Sequence, residues 1–175
     1  FSYKNKSVKN IDNISFKLKK GETLGIIGAT GSGKTTIINL LMRLYEKDAG
    51  SIRINGQEVS SIPPHELHTK FGVVFQNDVL FADTVRENID FGRNLPQQRI
   101  EQAAVSAQAM EFIDTLPERF EHMVTARGTT LSGGQKPRVL LSRALAGHSD
   151  ILHLDDYPSQ LDYTPGTHLR PAMRH

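Results

Sequence analysis

The sequence predicts an α/β fold built around a parallel sheet, and three observations carry that prediction. Apolar runs with strand character alternate with runs of helical apolar spacing. One strand-like run, Thr23-Leu24-Gly25-Ile26-Ile27, passes through a Gly-rich loop into a helix-like run, Thr36-Ile37-Ile38-Asn39-Leu40-Leu41-Met42. A later apolar run, Ile151-Leu152-His153-Leu154, ends on the carboxylate of Asp155.

The elements follow in order. Ile14, Phe16 and Leu18 alternate with Ser15, Lys17 and Lys19, the period of a half-buried antiparallel strand. Gly21-Glu22 turns into the strand that leads to the Gly-rich loop. A helix is expected from about Thr35 to Tyr45, stopping before the loop Lys47-Asp48-Ala49-Gly50. Ser51 to Gly56 reads as a strand ending in a turn, and Pro63-Pro64 as a break. Phe71 to Gln76 reads as a buried strand closed by a polar residue. Thr84 to Ile89 reads as a helix behind an Asp83 cap. Residues 98–109 and 111–116 carry helical spacing. A last helix is expected from Val139 to Ala146, stopping at Gly147. No internal repeat is visible.

Composition narrows the function classes. A chain of 175 residues fits one compact domain with a substantial core. Hydrophobic residues at 38% and charged residues at 23% fit a globular chain. No apolar stretch approaches the ~18 residues that span a bilayer, and no signal peptide is visible. The chain opens Phe1-Ser2-Tyr3 without a Met, so it is expected to start inside a longer polypeptide. Cysteine is absent, which excludes disulfides and thiolate metal sites. A net charge of +2 is too weak to argue for nucleic acid as a partner.

Chemistry concentrates in two Gly-rich segments. Gly28-Ala29-Thr30-Gly31-Ser32-Gly33-Lys34-Thr35 satisfies the pattern G-x-x-x-x-G-K-[ST] of a P-loop, with a strand-like run before it and a helix-like run after it. The glycines let backbone approach phosphate closely, and successive N–H groups form an anion nest. The following helix adds its positive end. Gly28 to Thr36 are therefore candidate phosphate contacts. Lys34 can reach the β- and γ-phosphates, and Thr35 can hold Mg²⁺. Asp155, at the end of an apolar strand, is a second candidate for the metal. The second segment is Leu131-Ser132-Gly133-Gly134-Gln135. Ser132 can cap a helix there, while Gly133 and Gly134 bare its positive end as another phosphate site. Two glycines in a first turn are costly unless close approach requires them.

These segments, in this order, resemble the nucleotide-binding domain of ATP-binding cassette (ABC) proteins, and the resemblance covers nearly the whole chain. It implies a P-loop NTPase fold with an ABC ATPase-type core, an antiparallel β flank and an inserted helical subdomain. The core would hold about residues 1–76 and 139–175, and the helical subdomain about 77–138. By the same resemblance, Tyr3 stacks on adenine, Gln76 is the Q-loop glutamine that contacts Mg²⁺ and water, and Asp162 is the D-loop aspartate. Gly28 to Thr35 and Asp155 match Walker A and Walker B, and Ser132 to Gln135 match the signature. The run Asp78 to Ile89 looks like the exporter branch. The implied cofactors are ATP and Mg²⁺. The implied partners are a second such domain, head to tail in a homo- or heterodimer, and the transmembrane domain of an exporter docking near Gln76 to Ile89. Ser132 and Gly134 would then serve the partner's ATP.

Four departures from the family pattern stand out. Asp156 stands where the family has the catalytic Glu, one methylene shorter, and general-base geometry is strict. A slow, degenerate ATP site is the expectation. The switch histidine is missing, and His168 and His175 lack its context, so the fragment alone is expected to be a poor ATPase. Pro137 replaces a polar residue. If Ser132 caps the helix, Pro137 costs ~3 kcal/mol, unless the helix starts later or kinks. His153, Tyr157, Pro158, Gln160, Pro165, Gly166 and Pro171 form a divergent cluster, with His153 an awkward core residue and the prolines breaking an expected helix.

The function implied is an ATPase motor on the cytoplasmic face of a membrane. Lys34, Gln76 and Asp156 are the candidate catalytic residues, and Thr35, Gln76 and Asp155 the candidate metal ligands. The alternatives are a soluble ABC ATPase and a non-catalytic, nucleotide-gated dimerisation module.

Overall fold

The computed structural model describes residues 1–3, 9–125, 130–155 and 157. Asp156, Pro158, Gln160, Asp162, Pro165, Gly166, His168, Pro171 and His175 lie outside the described residues. The chain divides into two compact units, Phe1–His68 and Thr69–His175.

The first unit is organised around α1 (Lys34–Leu41), which buries Ile38 and Leu40. Strands β1 (Arg53–Ile54) and β2 (Gln57–Glu58) form an antiparallel hairpin. Its turn is Asn55-Gly56 at φ 51° and 82°, the left-handed pair that a two-residue hairpin needs. Lys47 Nζ lies 2.9 Å from Glu58 Oε1, and the Ile52 amide donates to the same oxygen. Those two hydrogen bonds, the Lys47 one foremost, hold the Glu58 carboxyl below its ordinary pKa. Pro64, expected as part of a break, instead opens α2 (Pro64–Thr69), a position where a missing N–H is harmless.

Two expected strands carry no ladder in this unit. Residues 14–18 and 23–27 make no strand pairing, and Ile14, Phe16, Leu18 and Ile27 are 51, 48, 46 and 100% exposed. Alternation supplies a face, but a strand also needs a hydrogen-bonded neighbour. The antiparallel pairing described in the first unit is β1 with β2.

The second unit contains β3 (Phe71–Val74), β4 (Asp83–Thr84), α3 (Val85–Asp90), α4 (Gln97–Ser106), α5 (Met110–Ile113), β5 (Met123–Val124), α6 (Gln135–Ala146) and β6 (Ile151–Leu154). β3 and β6 pair in parallel, with Phe71 opposite Ile151 and Val74 opposite Leu154, as the α/β expectation requires. β4 pairs antiparallel with β5. Helix α6 packs on β3, α3 and α4 and buries Val139, Leu141 and Ala144 among Ile89, Ile100 and Ile113. The approach of α6 to β3 is close enough to exclude a side chain at Gly72. A Cβ there would stand 2.5 Å from the Ala144 carbonyl oxygen and 2.8 Å from Ser149 Oγ.

Helix ends account for three corrections. The cap of α3 is Thr84, whose hydroxyl accepts from the Glu87 amide at 3.0 Å, while Asp83 accepts from the Thr84 amide instead. Both residues are good cap formers, and the chain turns one residue later than expected. The stretch expected at 98–109 ends earlier, and Gln108 adopts φ 55° between α4 and α5. Gly147 ends α6 in extended rather than left-handed geometry. The last carbonyls of α6 are satisfied by Arg99, which donates to Ala146 O at 3.0 Å and to Gly147 O at 2.8 Å.

Candidate functional site

The Gly-rich loop of the first unit has the backbone its composition demands. Gly31 and Gly33 sit at φ 80° and 93°, angles that strain any residue with a Cβ. At Gly28 a Cβ would fall 2.6 Å from Ser32 Oγ. The Ser32 amide donates to Ala29 O at 3.1 Å, which closes the turn. Lys34 is the first residue of α1, and Nζ donates to Gly28 O at 2.8 Å and Ala29 O at 2.9 Å. The ammonium is thereby folded over the loop. α1 is capped by Gly33 with no side-chain cap bond, so its positive end faces the loop. Left-handed glycines ahead of an uncapped helix start form an arrangement that can receive an anion.

Tyr3 is held beside this loop. The Asn10 and Ile11 amides donate to Phe1 O at 2.8 and 3.1 Å, which pairs the two short segments. That pair rests on the loop at Gly33, where a Cβ would meet Asn10 O at 2.7 Å. The Tyr3 hydroxyl donates to Thr36 Oγ1 at 3.1 Å, one turn into the helix that carries Lys34. The structure therefore brings Tyr3, Gly33, Lys34 and Thr36 into one neighbourhood.

Gln76, Ser132 to Gln135 and Asp155 belong to the second unit. Asp155 follows β6, and its amide continues the ladder to Val74 O at 2.9 Å. Gln76 follows β3 by two residues, so both side chains leave the carboxyl ends of adjacent parallel strands, where α/β sheets place their sites. They line one cavity of about 230 Å³ together with Asp78, Gly133, Lys136 and Tyr157. Among the described residues no cluster of three or more His, Cys, Asp or Glu could hold a metal. Within the second unit, Gln76 and Asp155 offer oxygen donors, the kind that suits a hard ion such as Mg²⁺.

The signature segment corrects the expected cap. α6 starts at Gln135 with Gly134 as its cap residue, and no side chain caps it. Ser132 stands outside the helix, and its amide donates to Gln135 Oε1 at 2.9 Å. Pro137 has no N–H to give to the Gly133 carbonyl, while the Ser132 carbonyl accepts from the Gln135 and Lys136 amides at 3.1 and 3.3 Å. Pro137 is thus the third helical residue, one of the four whose N–H groups have no partner within a helix.

A sequence profile of the family described as ABC transporter matches residues 11–158. The chain belongs to the ABC transporter family. It is 40% identical over 164 residues to the ATP-dependent lipid A-core flippase of Vibrio cholerae, covering 93% of this chain and 28% of that protein. It is 42% identical over 170 residues to ABC transporter B family member 6 of Dictyostelium discoideum, covering 93% of this chain and 25% of that protein. The structure of a bacterial Atm1-family ABC exporter with ATP bound is similar with a TM-score of 0.82 at 35% identity, over 91% of this chain and 28% of that one. The chain thus spans less than a third of the length of these relatives. The P-loop NTPase fold and the exporter-type resemblance read from the motifs are borne out.

Within this ABC transporter domain, sequence reasoning missed a buried polar knot under the segment after Gln76. Asn88, 1% exposed, accepts from the Phe81 amide and donates to Phe81 O and Thr84 O. Arg143 donates to Asn88 O at 2.8 Å, Asn88 Oδ1 at 3.0 Å and Val79 O at 3.1 Å. Its guanidinium lies 5.4 and 4.7 Å from the Phe81 and Phe91 ring centres. Burial lowers the Arg143 pKa, and the Asp78 charge partly opposes that. Val79, Phe81 and Phe91 remain 40, 50 and 53% exposed on top of this knot. An Arg and an Asn 55 positions apart leave no local signal of such pairing.

Proposed function

We propose that this chain is the nucleotide-binding domain of an ATP-driven membrane exporter. The loop at Gly28–Thr35 carries the reading: left-handed glycines, an uncapped helix start and a lysine folded over them suit a triphosphate tail. Lys34 and the loop amides would neutralise and hold the phosphates, and Tyr3 would take the adenine. Thr35, Gln76 and Asp155 would hold Mg²⁺, which supplies charge neutralisation when bound. Gln76 and the residue at the base position, Asp156, would orient and deprotonate the attacking water. Hydrolysis through Asp156 is slow in this reading, because its carboxylate is one methylene shorter than a Glu.

Two such domains would work head to tail, with Ser132, Gly133 and Gly134 completing the partner's site. The exposed group Val79, Phe81 and Phe91, held from below by Arg143, suits docking of a transmembrane domain. No helix of the described residues is long and apolar enough to cross a membrane. The membrane portion would therefore come from elsewhere in the transporter, with this domain at its cytoplasmic face. The test is ATP turnover by the full-length transporter. Lys34→Ala is expected to abolish turnover at this site, and Asp156→Glu to raise it. Unchanged turnover in Lys34→Ala contradicts the function, and no gain in Asp156→Glu contradicts the slow-site reading.

A further inference from the structure

The first unit holds an aromatic arrangement that no motif explains. The Tyr3 ring centre lies 5.0 Å from Phe1 and 4.8 Å from Tyr45, with interplanar angles of 82° and 86°. Phe1 and Tyr45 are themselves 6.0 Å apart. Two rings capping opposite faces of Tyr3 would be separated by about the sum of their distances to it. They are far closer, so at least one face of Tyr3 is covered by neither. The hydroxyl is tied independently to Thr36 Oγ1, and Thr36 is only 6% exposed. The ring is thus fixed at its hydroxyl by the helix of the phosphate loop and at its body by two perpendicular rings. Tyr45 itself is 47% exposed, and its ring meets Tyr3 and Phe1.

We propose that Tyr45 is a positioning residue for base recognition: with Thr36 it presets the Tyr3 ring as a stacking face for the purine, in fixed register with the phosphate cradle. Edge contacts between rings resist rotation about the side-chain torsions, so Tyr3 does not have to be ordered when the base arrives. The hydroxyl bond to Thr36 couples the face to Lys34, two residues earlier on the same helix. The inference rests on the reading of Tyr3 as the adenine contact.

The experiment compares dissociation constants of Mg-ATP and Mg-tripolyphosphate, which has the phosphates but no base, on the full-length protein carrying this chain. Wild type is expected to prefer ATP. Tyr45→Ala is expected to weaken ATP about three- to tenfold, with tripolyphosphate unchanged. Tyr45→Phe keeps the ring and is expected to retain the wild-type ratio. Tyr45→Leu keeps apolar bulk without a ring edge and is expected to behave as Ala. It decides the question if Tyr45→Ala fails to fold. A wild type that binds both ligands equally overturns the role of Tyr3. A wild type that prefers ATP, with the same preference in Tyr45→Ala or Tyr45→Leu, overturns the role of Tyr45 alone. Equal loss of both ligands in Tyr45→Leu also overturns it, because the residue then acts on the cradle and not on the ring.

Discussion

Removing Arg143 tests how the surface above α3 is held. Helix α3 has six residues, Val85–Asp90, so most of its carbonyls lie in the last turn, where no helical partner exists. Arg143 satisfies Asn88 O, while Arg93 satisfies Ile89 O at 2.6 Å and Asp90 O at 2.8 Å. Arg143→Ala strands Asn88 O in buried surroundings, at a cost of about 1–3 kcal/mol, while Asn88 Oδ1 keeps the Phe81 amide and loses its second donor. Relief of the guanidinium's own desolvation, which lowers its pKa here, offsets part of that cost. A net loss of about 2 kcal/mol is expected, on the order of thirtyfold in the local opening constant. Amide hydrogen exchange across α3 in the full-length protein reads it directly. Arg143→Lys should lose most of the same protection, because a single ammonium cannot serve three divergent acceptors. Exchange in α3 within threefold of wild type for Arg143→Ala would refute the argument.

Two further outcomes follow at His153 and Pro137. Among the described residues His153 Nε2 is buried without a hydrogen-bond partner, and burial lowers its pKa from the ordinary 6.5 against a partial opposing pull from Asp155. The unfolded chain therefore takes up the proton first as pH falls below about 6.5, and the folded state loses stability there. His153→Leu should stabilise by about 1 kcal/mol near pH 7.5, and by more at pH 5.5. A gain in denaturant unfolding that is the same at both pH values contradicts this. Pro137→Gln should change stability by no more than about 1 kcal/mol, one hydrogen bond to the Gly133 carbonyl. A gain near 3 kcal/mol in the same unfolding measurement would restore the strained-helix picture.

What the sequence disclosed and what it withheld divide along physical lines. The phosphate loop was legible because its chemistry requires particular residues at fixed spacing. Strands at 71–74 and 151–154 were legible because buried parallel strands are continuous apolar runs. The alternation at 14–18 resembled these in kind, but pairing partners cannot be read from one strand. Pro137 breaks a helix interior but is tolerable in a first turn, and one sequence cannot tell which applies until the start of α6 at Gln135 is known. The Asn88–Arg143 knot and the Tyr3–Tyr45 contact join residues 55 and 42 positions apart. Such pairs are specified by the tertiary fold and leave no periodic trace.

The proposed function stands or falls with residues 28–35 as a cradle for a triphosphate. Isothermal titration of the full-length protein with Mg-ATP, wild type against Lys34→Ala, tests it most directly. Saturable uptake by wild type, at least tenfold weaker in Lys34→Ala, is the predicted result. Absence of uptake by folded wild type, or equal affinity in both proteins, contradicts the account.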